Sequence, residues 1–539
     1  MMDYPLLIHK FLERTAILSP HKEIITREEG GNHRYTYADL MQRSTRLSNA
    51  LAGLGVEQGD RVGTFAWNQY RHLEAYFAAP AMGAVLHTIN IRLFTEDLVY
   101  IVNHAGDKVV LVDPDLVPIL EPLASQFESV EHFIIMTDDR NFMTTLPSAH
   151  NYEDLIAGAS DAYSPVNSDE DAPAGLCYTS ATTGRPKGVI YSHRGIVLHS
   201  MMEAQADTIG FRERDVVLPV VPMFHANCWG VPYSSAMVGA NLVLTGVRPD
   251  PEAICRLFES EKVTLSLGVP TIWVGILDYL DRSGNTHDFS SLREIASGGS
   301  AVPISLIEAY KEKLGVNMVQ AYGMTEATPV ISYNRRTSKL DGMTDGEKLQ
   351  LAGTQGAIVP GLEMRLVDDE GKELPWDGEQ RGELLFKGPW IADSYYDDPR
   401  SGDTFIDGWY HSGDIASVDP NGYIQIGDRV KDMVKSGGEW ISSVDLETAI
   451  IAHPDVLEAA VVAIPHERWG ERPLACVVPK SDAHGKLEKA GVLDFIRDRF
   501  ASWWIPDDVV FLDEIPKTSV GKFDKKILRD RYHGHEIDA

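Results

Sequence analysis

Cysteine is scarce in this chain. Its 539 residues include four cysteines, Cys177, Cys228, Cys255 and Cys476, and they are widely scattered. Their small number and wide spacing exclude both a disulfide framework and a CxxC type of metal site. We therefore expect free, buried thiols in a reducing compartment.

Basic residues are also few. Lysine and arginine number 49 against 79 aspartate and glutamate residues, so the formal net charge is -30. A field of this sign repels phosphodiester backbones, which argues against a nucleic-acid partner. An anionic substrate would therefore have to be bound by a local positive site.

Long apolar runs are missing as well. The sequence has no run of about 18 apolar residues, so no membrane span is expected. Residues 1–5 lack the basic segment that begins a signal peptide, and no long apolar core follows them. We therefore expect a cytoplasmic protein.

The pattern of apolar segments predicts an α/β fold. A chain of this length is too long for one compact core. A helix is predicted over 36–55, with Thr36 and Asp39 as its capping box. Apolar runs at 62–65, 109–112 and 133–136 follow, with helix-like segments such as 71–82 between them. This alternation is typical of α/β layers with largely parallel sheets. Residues 137–172, which are polar and acidic, are predicted to be a surface connection.

The second part of the chain predicts a change of architecture. Gly-Asp turns near residues 382–414 indicate a β-rich subdomain with tight hairpins. The predicted division is a large N-terminal domain of layered α/β subdomains plus this β-rich subdomain at 1–427, a hinge at 428–432, and a small, mobile α/β domain at 433–539. A loop at 515–522 closes that domain and places Lys522 on a glycine tether.

The most informative segment is residues 178–189, which read YTSATTGRPKGV. Hydroxyl and backbone N–H groups fit phosphate oxygens, and the ammonium of Lys187 adds a positive charge. The pattern is not of the Walker type, because Lys187 is followed by glycine and not by serine or threonine. The segment predicts a phosphate-binding loop between two strands, with Thr179, Ser180, Thr182, Thr183, Gly184 and Lys187 as ligands.

Other segments carry groups that suit a nucleotide. Residues 320–326 offer an aromatic face, a hydroxyl and a carboxylate, and Glu326 is a candidate for a hard cation such as Mg²⁺. The glycine pair at 298–299 allows a flat ligand to lie against the backbone. Asp414 is suited to accept hydrogen bonds from a ribose diol. His225 and Trp229 would align if the segment becomes helical after Pro222, although a histidine beside an aromatic residue is usually plain packing.

Together these segments resemble the adenylate-forming enzymes, which include acyl- and aryl-CoA synthetases, nonribosomal adenylation domains and firefly luciferase. The resemblance covers nearly the whole chain, and its members follow the family order: the phosphate-binding loop, His225, the 298–299 turn, residues 322–326, Asp414, Arg429 and Lys522. Each motif alone is weak, but the ordered set is specific. Residues 221–229 and 435–447 are most similar to bacterial medium- and long-chain fatty-acid–CoA ligases. Ligases for methylmercaptopropionate share much of this pattern, so the preferred acid stays open.

The resemblance implies a two-step reaction that uses ATP, Mg²⁺ and CoA. The substrate carboxylate first attacks the α-phosphorus of ATP, which gives an acyl-adenylate and pyrophosphate. The CoA thiol then attacks the mixed anhydride, which gives the thioester and AMP. The charge that develops in the first step requires electrostatic stabilisation.

The resemblance also implies a role for each matching residue. Lys522, His225, Glu326 and Thr179 are the implied catalytic residues, and Thr179 and Glu326 are the implied magnesium ligands. Trp229 and Trp440 are the implied gate of an acyl tunnel, and Lys431 matches a hinge about which the C-terminal domain rotates. The implied nucleotide- and cofactor-binding residues are Thr179, Ser180, Thr182, Thr183, Gly184, Lys187, Gly299, Gln320, Ala321, Tyr322, Gly323, Thr325, Asp414, Arg429, Lys431 and Lys435.

Two positions depart from the family pattern. Ser412 replaces a threonine and keeps its hydroxyl, and Ala181 stands where the phosphate-binding loop has glycine. If that position needs a positive φ, the Cβ of Ala181 costs about 1 kcal/mol and stiffens the loop. The rate of pyrophosphate release, more than the reaction class, is therefore in question.

Several alternatives remain at this point. They are a ligase for a short or sulfur-containing acid, adenylation for a carrier protein, a luciferase-like oxygenase, and a nucleotide-binding regulator without catalysis. Carboxylate-dependent ATP–pyrophosphate exchange separates an enzyme from the regulator. The expected partners are the carboxylic acid, ATP and CoA, and a homodimer is one assembly that the sequence leaves open.

Overall fold

The computed structural model describes residues 2–162, 164–179, 185–335, 337–429, 432–437, 439–466, 468–481, 483–518 and 522–535. In these residues the helices α1 to α15 are, in chain order, His9–Leu18, Tyr37–Gly53, Tyr70–Ala81, Thr95–Ala105, Val117–Leu120, Tyr152–Ala157, His193–Glu203, Val231–Val238, Pro251–Ser260, Pro270–Ser283, Ile304–Leu314, Asp345–Ala352, Ser443–Ile451, Lys489–Arg497 and Lys525–Tyr532.

In the same residues the strands β1 to β26 are Glu23–Thr26, His33–Thr36, Arg61–Phe65, Val85–Thr88, Asp107–Val112, His132–Ile135, Ala149–Asn151, Pro173–Tyr178, Gly188–Ser192, Val216–Pro219, Asn241–Leu244, Leu265–Gly268, Glu294–Ser297, Met318–Gly323, Val330–Tyr333, Gly356–Ile358, Glu363–Val367, Gly382–Lys387, Phe405–Ile406, Trp409–Val418, Tyr423–Arg429, Val434–Ser436, Glu439–Ile441, Val456–His466, Gly470–Pro479 and Asp508–Phe511.

The first sheet has the strand order β7-β6-β5-β3-β4-β8-β9. Its pairs are parallel except for β8 and β9, which form an antiparallel hairpin. The loop between β8 and β9 therefore leaves the carboxyl end of β8. That end is where open α/β sheets bind their ligands.

The second sheet joins a half that is parallel except for the edge strand β2 to an antiparallel half. Its order is β2-β1-β11-β10-β12-β13-β14 and then β15-β16-β21-β20-β18-β17, with β19 added on β20. β14 pairs parallel with β13 and antiparallel with β15, so the two halves meet there. Residues 320–326 consequently lie at the junction between the α/β part and the β-rich part.

The hydrophobic cores explain the layering. The helices α2, α3 and α7 contribute Leu47, Tyr76 and Ile196 to one core, which also contains Val62 of the first sheet and Leu267 of the second. These helices therefore lie between the two sheets. Separate cores cover the outer face of each sheet, with α4 on the first and α9 to α11 on the second. The α/β layers and the β-rich subdomain agree with the predicted fold class.

The C-terminal part has its own sheet and cores. The order is β23-β22-β25-β24, with β26 on β25. One face packs on α13 and α14 and the other on α15. The Arg381–Asp445 ion pair, 3.2 Å long, links it to the preceding part, as does the hydrogen bond of 2.8 Å from Ser442 Oγ to the Gly427 carbonyl. The exact division at 428–432 stays a prediction.

The structure tests two local predictions, the capping box of α2 and the connection at 137–172. The capping box of Thr36 and Asp39 is present at the start of α2 and is confirmed. The predicted surface connection at 137–172 also contains two regular elements, the strand β7 and the helix α6. β7 has three residues and is added to the sheet edge by pairing with β6, which a sequence pattern of that length does not reveal. None of the helices in the described part of the chain has the length and apolar character needed to cross a lipid bilayer.

Candidate active site

A cavity of about 750 Å³ lies where the two sheets, the β-rich part and the C-terminal domain meet. The side of the first sheet contributes Thr179 and Lys187, and the C-terminal domain contributes Lys522. A cavity of this size with converging polar groups is the default binding site of a protein. The predicted site residues that line it are Thr179, Lys187, His225, Trp229, Gly299, Ala321, Tyr322, Gly323, Thr325, Glu326, Asp414 and Lys522.

The β8–β9 hairpin positions the base of the phosphate-binding loop. The Thr179 N–H donates to the Lys187 carbonyl at 2.9 Å, and the Lys187 N–H donates to Thr179 Oγ1 at 3.2 Å. These two bonds join the backbone at the two ends of the loop and fix the position of the Thr179 hydroxyl. The predicted ligands Ser180, Thr182, Thr183 and Gly184, and the departure at Ala181, lie outside the described residues.

Lys187 and Glu326 meet through Tyr395. The Tyr395 hydroxyl donates to Glu326 Oε1 at 2.7 Å, and the Lys187 ammonium lies 4.3 Å from the centre of the Tyr395 ring. Burial raises the pKa of Tyr395, so its hydroxyl stays a neutral donor. Burial lowers the pKa of Lys187, and the Glu326 carboxylate opposes that shift. One aromatic side chain thus contacts both Lys187 and Glu326.

Asp414 and Tyr322 form the other polar end of the cavity. The Tyr322 hydroxyl donates to Asp414 Oδ2 at 2.5 Å, and the Ser412 hydroxyl accepts from the Asp414 N–H at 3.1 Å. Asp414 is buried, and Arg429 lies opposite it in the β20–β21 pair. The position of Asp414 is therefore set by a phenol and by its own strand pair.

The turn at Gly298 and Gly299 brings Lys522 into the cavity. A Cβ placed on Gly299, whose φ is +86°, would lie 3.4 Å from Lys522 Cε. The glycine therefore makes room for the lysine chain to pass over the turn. The C-terminal loop is closed by the Thr518 N–H, which donates to the Lys522 carbonyl at 2.6 Å. Burial and the Lys522 charge lower the pKa of His225 to about 3, so that imidazole is neutral.

The segment after His225 turns with the wrong hand for an α-helix. Ala226, Asn227, Cys228 and Trp229 have φ between 43° and 55°, and α8 starts only at Val231. The helical alignment considered for His225 and Trp229 is therefore wrong. Each L-residue in this region costs about 1–2 kcal/mol, so surrounding contacts must maintain the turn. It places Trp229 in the cavity wall.

Comparison with known proteins identifies the family. The AMP-binding enzyme family matches residues 12–396, and the AMP-binding enzyme C-terminal domain matches residues 445–522. The chain belongs to the AMP-binding enzyme family. The resemblance to adenylate-forming enzymes is thereby confirmed.

Relatives of this AMP-binding enzyme extend over its full length. It is 47% identical to a long-chain-fatty-acid–CoA ligase of Thermus thermophilus, over 99% of this chain and 97% of the relative. It is 43% identical to a 3-methylmercaptopropionyl-CoA ligase of Ruegeria lacuscaerulensis, over 99% of this chain and 98% of the relative. The structure is similar to the anthranilate CoA ligase AuaEII in complex with anthranoyl-AMP, with a TM-score of 0.87, 27% identity and 98% coverage of each chain.

Some predicted residues of this AMP-binding enzyme are placed away from the cavity. Gln320 is fully buried, and its Oε1 accepts from the Val302 N–H at 2.7 Å, so it supports the chain after the Gly299 turn. Lys435 is exposed on β22 and does not line the cavity. Contact of either residue with a ligand stays a prediction. Lys431 and the side chains of Arg429 and Trp440 lie outside the described part of the chain.

Tyr395 is the site residue that the sequence analysis missed. It lines the cavity, is buried, and contacts Glu326 and Lys187. The only signal in the sequence is an aromatic pair, Tyr395-Tyr396, in a polar loop before Pro399. Nothing in that signal connects the pair to Glu326, which is 69 residues away.

Proposed function

We propose that this AMP-binding enzyme is an ATP-dependent acyl-CoA ligase that activates a medium- or long-chain fatty acid. The observation that carries the proposal is the position of Lys522 over the Gly299 turn, in one cavity with Lys187, Glu326 and Asp414. A carboxylate and an α-phosphate that meet at this turn would share the lysine charge. The names of the full-length relatives support an acid–CoA ligase.

In the first step the residues stabilise charge and hold geometry. Asp414 accepts from the ribose hydroxyls, and Lys187 with the adjacent loop binds the terminal phosphates. Lys522 neutralises the negative charge that grows on the α-phosphate as the carboxylate attacks. Burial and the Lys522 charge lower the pKa of His225, so the imidazole stays neutral, orients groups by hydrogen bonding and adds no charge.

The residues present fit a magnesium ion. Mg²⁺ is usually bound through one or two carboxylates together with substrate phosphates. Tyr395 donates to Glu326 Oε1 and so orients the carboxylate. The other oxygen, Oε2, would bind the metal. Thr179 would add a hydroxyl. The ion would supply charge neutralisation for the phosphates.

The second step needs a different arrangement of the C-terminal domain, because Lys522 occupies the approach to the turn. We propose that this domain rotates about residues 428–432 and withdraws Lys522 before CoA attacks. The Arg381–Asp445 pair crosses between the two parts and would have to break. The proposal also includes a cytoplasmic location, and a homodimer stays a prediction for light scattering to test.

A second candidate is a ligase for a short, sulfur-containing acid. It is favoured by the 43% identity to a 3-methylmercaptopropionyl-CoA ligase. Both candidates share the chemistry and differ in the acyl pocket. Trp229 lines the cavity, and we expect it to form a wall of the acyl pocket. Its position should therefore decide which of the two acids the pocket accepts.

Carboxylate-dependent ATP–pyrophosphate exchange, measured from acetate to palmitate and with 3-methylmercaptopropionate, tests the proposal. Exchange and CoA consumption that are strongest with acids of eight or more carbons are expected. A maximum with 3-methylmercaptopropionate would favour the second candidate. Absence of exchange with every acid would contradict ligase activity itself.

Replacement of Asp414 by asparagine should weaken ATP binding. The neutral amide cannot accept the charge-assisted hydrogen bonds that the carboxylate accepts from the ribose hydroxyls. A hydrogen bond to a charged group contributes about 1.5–3 kcal/mol. We therefore expect the KM for ATP to rise roughly 10- to 100-fold, with the KM for the acid unchanged. Initial rates at varied ATP measure this. Asp419→Asn, in the exposed turn of the same hairpin, is the control, and an unchanged KM in Asp414→Asn would contradict the ribose role.

A further inference from the structure

A buried polar cluster lies directly behind the Trp229 turn. It consists of His199, Glu203 and Ser234, all at most 1% exposed. A Cβ placed on Gly230, the residue after Trp229, would lie 2.9 Å from the His199 ring and 3.0 Å from Glu203 Oε2. The turn that carries Trp229 therefore rests on the histidine and the carboxyl, with no space between them.

The same cluster holds a second wall of the cavity. The Val330 N–H donates to His199 Nε2 at 3.2 Å, and Val330 lines the cavity as Trp229 does. Since Nε2 accepts, the proton of the neutral ring is on Nδ1, which lies 3.8 Å from Glu203 Oε2. His199 thus contacts both Val330 and the turn that carries Trp229, and Glu203 contacts that turn.

Glu203 is an unusual choice for a core position. The Ser234 hydroxyl donates to its Oε2, whereas within the described residues Oε1 is buried without a hydrogen-bond partner. In those residues no lysine or arginine forms an ion pair with it. An apolar side chain would fill the same space without burying a polar atom, so stability alone does not explain the acid. Carboxyl groups with perturbed pKa values cluster at functional sites.

We propose that Glu203 is a specificity-determining residue of the acyl subsite, because it supports the turn that carries Trp229. The inference rests on the proposed ligase function. Glu203 fixes how far Trp229 stands from the Gly298–Gly299 turn and thereby limits the depth available to the acyl chain. Trp229 Cη2 is 3.4 Å from a Cβ placed on Gly298, so a small retreat of the turn would open this side.

The first test removes the support. In Glu203→Ala the turn can relax into the vacated space, which deepens the subsite. We expect the ratio of kcat/KM for dodecanoate to that for hexanoate to rise about tenfold or more, because each methylene admitted to an apolar pocket contributes to discrimination. The KM for ATP should not change. Glu74→Gln, an equally buried glutamate paired with Arg43, controls for general destabilisation and should keep the wild-type ratio.

The second test changes the charge of the side chain at position 203 and leaves its volume unchanged. Burial raises the pKa of Glu203 to about 8, so wild-type Glu203 is neutral at pH 7 and ionised at about pH 9. The titratable groups that face it are His199, with its pKa lowered by burial to about 3, and Cys228, with its pKa raised well above its usual value by burial. Neither changes charge in this window. The chain-length ratio should therefore shift with pH in the wild type and stay constant in Glu203→Gln.

The outcomes separate this inference from the ligase proposal. If the wild type supports exchange and folded Glu203→Ala keeps the wild-type chain-length ratio, the role of Glu203 is refuted and the ligase function stands. If Glu203→Ala does not fold, equal pH behaviour of the wild type and Glu203→Gln refutes it. If the wild type supports no exchange with any acid, the ligase proposal fails first.

Discussion

Replacement of Lys522 by glutamine should reduce adenylate formation by about 10²- to 10³-fold. This is the usual effect of removing one group that stabilises developing charge in a closed site. Lys522 approaches the Gly299 turn from the C-terminal domain, whereas the nucleotide contacts come from the preceding part of the chain. ATP binding should therefore change little. The measurements are carboxylate-dependent ATP–pyrophosphate exchange for the rate and calorimetry for the affinity.

Adenylate formation and thioester formation can be measured separately, which tests the role of Lys522 in each step. When acyl-adenylate is supplied, Lys522→Gln should still transfer the acyl group to CoA, because that step begins from an activated anhydride. Lys517→Gln is the matched control: it lies on the same loop, but its ammonium pairs with Glu458 at 2.7 Å. An equal loss of exchange in both variants would show that the loop, and not the Lys522 charge, is required. Retention of exchange in Lys522→Gln would contradict the proposed role.

Replacement of Glu326 by glutamine should lower the adenylation rate about 10²-fold, and added magnesium should partly restore it. Loss of a carboxylate ligand weakens the binding of the ion that neutralises the phosphates, and such stabilisation is worth several kcal/mol. The amide oxygen can still accept from Tyr395, so the fold around the site should persist. The rate of exchange as a function of Mg²⁺ concentration, at fixed ATP, measures this effect.

Two further variants show whether the effect belongs to Glu326. Asp403 also lines the cavity and is exposed, so Asp403→Asn removes a nearby negative charge without removing the predicted ligand. It should leave the magnesium dependence unchanged. Tyr395→Phe keeps the ring beside Lys187 and frees Glu326 Oε1, so it should shift the magnesium dependence less than Glu326→Gln does. The same magnesium curve for Glu326→Gln and the wild type would rule out the metal role.

Much of the architecture could be predicted from local pattern. The strands on either side of the phosphate-binding loop and the glycine turn after β13 follow from short runs of apolar residues and their end signals. The order of the motifs was sufficient to recognise the family. These features depend on neighbours within a few residues, which a single sequence displays directly.

Contacts between distant residues required the structure. Tyr395 reaches Glu326 across 69 residues, and Val330 reaches His199 across 131. Gln320 is turned inward to the Val302 N–H, which its motif does not reveal. No spacing rule relates such pairs, because they are brought together by strand order and by helices packed between two sheets.

The left-handed turn at 226–229 shows most clearly the difference between what local sequence predicts and what tertiary contacts impose. Its residues are not glycine, and their intrinsic preference opposes a positive φ. The α/β class, the motif order and membership of the AMP-binding family follow from the sequence alone. Tertiary packing decided the orientation of Trp229, the support behind it and the approach of Lys522, because many contacts acting together can maintain a backbone conformation that local preference disfavours.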